Sequence, residues 1–173
     1  CIMGDTVLTG SMNPTYNGAY KNDNNLLIIE STTLADNYRE EFFELKNKRQ
    51  TSVDFPVVEL LVENRSVIVE NYFCPEDQCE IQILEELTKA NQSIYFMTFS
   101  FTSDPIGELL VKKHQAGIDV YGVFERRKQN KYSEHHRFED FDVPFMFDNN
   151  KNSMHHKVFI IDNHTVITGS MNP

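Results

Sequence analysis

Near the end of the chain, His155 and Lys157 stand two residues apart in a segment whose apolar residues predict a β-strand, residues 154–162. Side chains on a strand alternate between its faces, so His155 and Lys157 point one way and His156 the other. An imidazole and an ammonium group are costly to bury together unless an anion accompanies them. Phosphate is the natural partner, because lysine neutralises its charge while histidine attacks phosphorus or transfers a proton.

The predicted strand is followed by a turn of small and polar residues, residues 169–172, with the sequence Gly-Ser-Met-Asn. Gly169 allows the backbone to approach a ligand closely. The hydroxyl of Ser170 and the amide of Asn172 can bond phosphate oxygens. The two segments together therefore predict a phosphate-binding site.

The segment that carries this turn occurs twice. Residues 6–14 and 165–173 agree at eight of nine positions, and the one difference exchanges Leu8 for Ile167. Their offset of 159 residues is too long for a solenoid repeat. We therefore interpret the chain as a duplicated domain with one copy of the segment in each half.

Predicted helices and strands alternate along the chain, which indicates an α/β fold with helices on both faces of the sheet. Thr33 and Asp36 stand at capping-box positions of one helix, and Asp104 is expected to cap another, before Pro105. The predicted strands are residues 25–30, 57–62, 66–73, 93–101, 118–125, 143–147, 154–162 and 165–168, and the predicted helices are residues 33–48, 80–90, 104–116 and 131–140. A turn at residues 63–65 joins the second and third strands, and a turn at residues 163–164 joins the last two strands into a hairpin. The predicted domains are residues 1–45 for the end of the first half, 46–56 for a linker and 57–173 for the second half.

The chain carries a net charge of −10, which disfavours broad, sequence-independent binding to nucleic acid or to an anionic membrane. No apolar run approaches the roughly 20 residues that a membrane-spanning helix needs. Cys1, Cys74 and Cys79 do not make a disulfide framework. We interpret them as free thiols of a reducing compartment, which favours a cytoplasmic location.

The order His-x-Lys-x4-Asp over residues 155–162, followed by Gly-Ser-x-Asn over residues 169–172, resembles the HKD signature of the phospholipase D superfamily. The resemblance implies two similar α/β halves, each with a central sheet flanked by helices, whose motifs meet in one active site at their interface. It also implies chemistry that uses no metal or other cofactor and proceeds through a covalent phosphohistidine.

The resemblance assigns His155 as one of two catalytic histidines. Since the first motif of the family tends to supply the nucleophile, we assign His155 the role of general acid and base. Lys157 would bind the phosphate. Asp162 completes the catalytic signature, and we expect it to anchor the motif and not to touch the substrate.

Further phosphate contacts are assigned to matching positions of the repeated segment. Ser170 and Asn172 of the second copy would bind phosphate oxygens. Ser11 and Asn13 of the first copy would complete the same pocket.

The first copy departs from the family pattern. Counting back from its glycine, as one counts from Gly169 to Asp162, leads to Met3. Asp5 lies two residues later, so either the first hairpin is shorter or its aspartate has been replaced. The histidine and lysine of the first motif would precede Cys1, so we expect the chain alone to be poorly active.

Several functions remain open. The first is hydrolysis of a phosphodiester in DNA, RNA or a phospholipid; the compact spacing of the motifs favours a nuclease-like enzyme, whereas the negative charge favours a lipid. Phosphatidyl transfer of the cardiolipin-synthase type would use the same residues, with an alcohol in place of water. A phosphate-binding scaffold without activity is supported only by Met3. No obligate protein partner is evident, and the internal repeat makes a homodimer with one motif per chain unnecessary.

One further cluster has ligand chemistry. His135 and His136 stand near Glu134 and Glu139, which suggests a metal site. Adjacent side chains on a helix point in different directions. We therefore favour a structural role for these residues and expect no metal.

Overall fold

The computed structural model describes residues 1–173 and has a mixed α/β architecture. Its ten strands are β1 Ile2–Met3, β2 Thr6–Gly10, β3 Leu26–Glu30, β4 Val57–Val62, β5 Arg65–Glu70, β6 Ser93–Thr98, β7 Asp119–Phe124, β8 Phe145–Phe147, β9 Lys157–Ile161 and β10 Thr165–Thr168. Its helices are α1 Tyr16–Tyr20, α2 Thr32–Asn47, α3 Cys79–Thr88, α4 Asp104–Gln115 and α5 His135–Asp140, and a 3-10 turn spans Arg126–Lys128. The α/β fold class predicted from the sequence is confirmed.

The chain packs as two compact units, residues 1–9 with 27–79 and residues 10–26 with 80–173. These are units of packing, and the predicted boundaries of the two duplicated halves stay a prediction. Every helix falls short of the length and hydrophobicity that a membrane-spanning segment requires.

The first unit contains a three-stranded sheet in the order β1-β2-β3. Helix α2 packs on it through Leu34 and Ala35, which share a small buried core with Val7. The side chain of Ser31 accepts a hydrogen bond from the Leu34 amide and caps α2. The capping box predicted at Thr33 is therefore wrong, because the helix begins earlier and Ser31 already satisfies the free amide.

Strands β4 and β5 form a separate antiparallel hairpin in the same unit. Its turn, Glu63 and Asn64, has positive φ angles of 50° and 61°, the geometry of a two-residue turn that matches strand twist. The sequence predicted this hairpin and its turn.

Cys74 and Cys79 form a disulfide, with Cα atoms 5.8 Å apart. The prediction that these two thiols are free is wrong. A tight turn brings them together: the Asp77 carboxylate accepts a bond of 2.7 Å from the Phe73 amide, and the Asp77 amide donates to the Phe73 carbonyl at 2.9 Å. The expectation of a cytoplasmic location, which was drawn from free thiols, loses this support.

The second unit is built on a five-stranded mixed sheet in the order β10-β9-β6-β7-β8. Strand β6 runs parallel to β7 and antiparallel to β9. Phe96 of β6 lies at the centre of its core, edge-on to Phe101, Phe124 and Phe138 at ring distances of 5.6, 5.3 and 5.6 Å. Gly122 leaves the space for this ring, because a Cβ there would lie 1.9 Å from Phe96.

Several boundaries in the second unit differ from the predictions. Ser103, and not Asp104, caps α4 by accepting a bond from the Ile106 amide at 3.3 Å. The helix predicted over residues 131–140 begins only at His135. The strand predicted over residues 154–162 pairs regularly only over Lys157–Ile161, which leaves His155 just outside the sheet.

Candidate active site

His155 lies immediately before β9, where the chain enters the sheet of the second unit. Its backbone amide donates to the Asp23 carbonyl at 2.8 Å. Its imidazole packs against the ring of Phe99, with ring centroids 4.5 Å apart. Asp23 and Phe99 belong to the same packing unit as His155. The first fixes its backbone and the second fixes its side chain.

A backbone carbonyl selects the tautomer of His155. The Nδ1 atom lies 2.9 Å from the carbonyl oxygen of Ser11. A carbonyl oxygen can only accept, so Nδ1 carries the hydrogen, and in the neutral ring Nε2 keeps its lone pair. The histidine therefore presents its nucleophilic nitrogen on the side away from Ser11.

Lys157 occupies that side. Its Nζ lies 3.2 Å from the Nε2 of His155 and donates to the His155 carbonyl at 3.0 Å. This contact confirms the prediction that the two side chains share a face. Nζ also stands 4.7 Å from the centre of the Phe99 ring.

The Lys157 side chain is only 5% exposed, and no carboxylate forms an ion pair with it. Burial away from water lowers its pKa to about 8. A buried ammonium without a counter-ion is unfavourable. An anion bound beside it would remove that cost, which is the electrostatic signature of an anion site.

Burial also lowers the pKa of His155, and the nearby charge of Lys157 acts in the same direction, while the bond to the Ser11 carbonyl partly opposes them. Since the ordinary pKa of histidine is about 6.5, the ring is neutral at pH 7 in the absence of an anion. Neutral imidazole is the form that can attack phosphorus or accept a proton.

Glu125 fixes the segment that leads to His155. It follows β7, is 1% exposed, and accepts bonds from the Arg127 amide at 3.0 Å and from the Met154 amide at 2.6 Å. Glu125 was not among the site residues predicted from the sequence. Its position at the end of a predicted strand was the one available signal.

Phe99 is a site residue that sequence reasoning missed, because it lay inside a predicted strand of aromatic residues. Strand β6 ends at Thr98, and the Phe99 amide then bonds the carbonyl of His156 at 2.8 Å. Lys128 places a second ammonium 5.1 Å from the Phe99 ring. Two cations thus approach one aromatic ring beside the catalytic candidate.

The groups of side chains spaced to hold a metal ion, His135 with His136 and Glu139, and Glu41 with Glu44 and Glu76, contain none of the predicted site residues.

The family model described as "Cardiolipin synthase, PLD-like domain" matches residues 1–46 and 83–173. The match covers well over half of the chain. The chain belongs to the phospholipase D superfamily.

Two curated proteins named Phospholipase D align with this superfamily member over 105 residues. The one from Rickettsia typhi is 30% identical and the match covers 60% of this chain and 52% of the relative; the one from Rickettsia prowazekii is 29% identical, with 60% and 51% covered. The chain spans about half the length of these relatives. Among solved structures, the phospholipase D family member Nuc from Salmonella typhimurium has a TM-score of 0.50 and 32% identity, with 54% of this chain and 63% of that chain covered.

In this phospholipase D-like chain, the aspartate of the HKD signature lies far from its histidine and lysine. Asp162 lies at the far end of β9, roughly 20 Å from His155 for seven residues of extended chain. Its carboxylate accepts bonds of 2.9, 2.8 and 2.9 Å from the amides of Asn91, Gln92 and Ser93, and these bonds lower its pKa. Asp162 therefore holds the hairpin end and does not lie beside His155.

The four residues assigned to phosphate binding differ in their exposure to solvent. Ser11 is buried, donates to Asn25 Oδ1 at 2.7 Å and accepts from the Asn25 amide at 3.1 Å, so its contact with the site is the carbonyl that holds His155. Asn13, Ser170 and Asn172 are exposed. Their phosphate contacts stay a prediction.

Asn25 links the two copies of the repeated segment within the second unit. Besides its bonds to Ser11, its side-chain Nδ2 donates to Thr168 Oγ1 at 2.8 Å. No motif or periodicity in the sequence singles out Asn25. It connects the end of the first copy to β10 and so helps to bring the Ser11 carbonyl to His155.

Proposed function

We propose that the intact protein is a phosphodiesterase that works through a covalent phosphohistidine and acts on a nucleic acid or a phospholipid. The observation that carries the proposal is the buried Lys157 ammonium, which has no carboxylate partner and lies 3.2 Å from the Nε2 of His155. A phosphodiester carries the single negative charge that this arrangement lacks. The proteins named Phospholipase D among its relatives support the same class of reaction.

The first half-reaction forms the intermediate. The Nε2 atom of one histidine attacks phosphorus, and the bond from phosphorus to the leaving oxygen breaks. A second histidine donates a proton to that oxygen. Lys157 neutralises the charge that develops on the phosphoryl oxygens.

The second half-reaction releases the product. The second histidine removes a proton from water, the water oxygen attacks phosphorus, and the bond from phosphorus to the first histidine breaks. We assign His155 the acid and base role, and the histidine of the first motif would be the nucleophile. A bound phosphate supports this assignment, since its negative charge favours the protonated ring that an acid requires.

Phosphatidyl transfer is a second candidate, because the matching family model is described as cardiolipin synthase. An alcohol would then replace water in the second half-reaction. Adding ethanol to an assay with phosphatidylglycerol vesicles separates the two: hydrolysis gives phosphatidic acid, whereas transfer to the added alcohol gives phosphatidylethanol.

The experiment that tests the proposal follows release of p-nitrophenol from bis(p-nitrophenyl) phosphate by the intact protein in excess EDTA. We expect turnover by wild type and a loss of roughly 10³-fold or more in His155→Asn. The matched control is His164→Asn, because His164 is an exposed histidine in the β9–β10 loop, and it should keep wild-type activity. Turnover that does not depend on His155 would contradict the proposal, and absence of turnover in wild type would favour a phosphate-binding scaffold.

A further inference from the structure

A second group of histidines lies on helix α5, outside the residues of the candidate active site. His135 opens this short helix, and Glu139 follows it at the i,i+4 position while standing at i,i+3 from His136. Residues at these spacings approach each other on a helix surface. Glu139 can therefore reach towards both histidines, although the two imidazoles are adjacent in sequence.

His135 is buried without a partner for one of its nitrogens. The residue is 6% exposed, and its ring lies among Phe124, Phe145 and Phe147 at 6.0, 6.2 and 5.5 Å. Its Nδ1 atom is shielded from solvent and has no hydrogen-bond partner. Unpaired buried polar atoms are uncommon in native proteins and call for an explanation such as an absent ion.

The three side chains bring ligand atoms close together. One such atom each from His135, His136 and Glu139 lies within 4.8 Å of the others, and the His136 Nδ1 and Glu139 Oε2 atoms are 3.8 Å apart. Two ligands bound to one zinc ion at about 2.1 Å each lie no more than roughly 4.2 Å apart. Small rotations of the two exposed side chains would therefore suffice to close the site.

The charged side chains near α5 do not form ion pairs that would keep Glu139 from binding a metal. Glu134 is already engaged by Arg137 at 2.7 Å, and Arg137 also bonds Asp104 at 3.0 Å. Glu139 forms no ion pair with lysine or arginine.

Although the sequence favoured a structural role for these residues, we propose that His135, His136 and Glu139 form a binding site for a divalent transition metal of the zinc class, with water in the remaining coordination position. Two imidazoles and one carboxylate are a ligand set that zinc accepts. All three ligands lie on α5, so a bound metal would stabilise that helix and with it the folded state. The site shares no residue with the proposed phosphodiesterase site, so each proposal can fail without the other.

The test uses the intact protein without a histidine tag, titrated with Co²⁺ as a spectroscopic substitute and with Zn²⁺ by calorimetry. We expect one equivalent to bind, with the visible absorption of four- or five-coordinate Co²⁺, and Zn²⁺ to raise the Tm. His136→Ala and Glu139→Gln change exposed side chains, so both variants should fold, and each should weaken binding roughly tenfold or more.

Two matched variants serve as controls. His164→Ala removes an exposed histidine elsewhere, and Asp140→Asn removes the acidic neighbour of Glu139; both should bind as wild type does. Absence of stoichiometric binding by wild type would overturn the proposal. Equal binding by the His136→Ala, Glu139→Gln double variant would overturn it as well, because the metal would then lie elsewhere.

Discussion

The two copies of the repeated segment form the same local structure. In the first, β1 pairs with β2 so that Met3 lies opposite Thr6. In the second, β9 pairs with β10 so that Ile161 lies opposite Thr165. Both are antiparallel hairpins, but two residues connect the first and three connect the second. The first hairpin is therefore shorter by one residue, and the position that matches Asp162 is occupied by Gly4, so the aspartate of the signature is also replaced there.

The two copies differ much more in the burial of their side chains than in their local structure. Val7 and Val166 occupy matching positions, yet Val7 is 0% exposed and Val166 is 62% exposed. Val7 is covered by Leu34 and Ala35 of α2. The comparison shows that the repeated sequence determines the hairpin, whereas the elements packed on it determine what each side chain contributes.

The loops of the two hairpins also differ in their contacts. Asp162 accepts three backbone hydrogen bonds. Asp5, in the shorter loop, faces only Arg39, at 3.7 Å between charged atoms, with both side chains well exposed. Asp162 therefore holds the second hairpin to the backbone, whereas Asp5 makes only an exposed ion pair in the first.

The largest expected difference between the copies concerns their glycines. Gly10 has a φ of +130°, and a Cβ there would lie 2.5 Å from the Asn25 carbonyl oxygen, whereas a Cβ at Gly169 would meet no atom within 4 Å. We predict that Gly10→Ala lowers the free energy of unfolding by about 3 kcal/mol, from strain and overpacking. Gly169→Ala should change it by less than about 0.5 kcal/mol. Urea unfolding of both variants measures the difference.

Gly10→Ala should also reduce activity, because Gly10 precedes the Ser11 carbonyl that holds His155. Equal stability of the two glycine variants would contradict the comparison and would mean that the two segments pack alike.

The valine pair gives a smaller effect. Val7→Ala removes buried apolar volume and should cost about 2 kcal/mol in the free energy of unfolding. Val166→Ala removes exposed volume and should cost less than about 0.5 kcal/mol. The identical substitution at matching positions makes each variant the control for the other, and a similar cost at both would show that Val166 is covered in the intact protein.

The sequence predicted the features that depend on local pattern. The shared face of His155 and Lys157 follows from strand alternation, and the turn at Glu63 and Asn64 from residue type. Even so, residues 154–156 lie outside the regular strand, because Glu125 and the Asp23 carbonyl satisfy the amides of Met154 and His155 in place of a neighbouring strand.

Contacts between residues distant in sequence could not be predicted in this way. The Ser11 carbonyl that selects the tautomer of His155 is 144 residues away, and no periodicity links the two. Phe99 was predicted to be one more aromatic residue of the strand over residues 93–101. In the structure that strand ends at Thr98, one residue before Phe99. The disulfide of Cys74 and Cys79 depends on a turn closed by Asp77, which residue spacing alone did not reveal.

His155 and Lys157 lie on the strand side of the second hairpin, and the pH dependence of Lys157 sharpens the chemical side of the comparison. Phosphate binding needs protonated Lys157, whose pKa is about 8. We therefore predict that kcat/KM falls as pH rises above about 8, by about tenfold per pH unit. Lys157→Arg, which stays charged, should lose this alkaline limb even though its activity is lower. An unchanged alkaline limb in the arginine variant would assign it to another group.

The smallest predicted effect concerns the two aspartates. Asp162→Asn keeps an acceptor but loses the charge that three amides stabilise, so Tm should fall measurably at neutral pH, while Asp5→Asn should leave Tm nearly unchanged. Those amides lower the folded-state pKa of Asp162, so its contribution is present above the unfolded-state pKa and is lost as pH falls through the folded-state value. The Tm difference between wild type and Asp162→Asn should therefore shrink in increasingly acidic buffers. A difference that persists after the carboxylate is protonated would mean that the amide side chain disturbs the loop sterically, and that charge is not how Asp162 anchors the second hairpin.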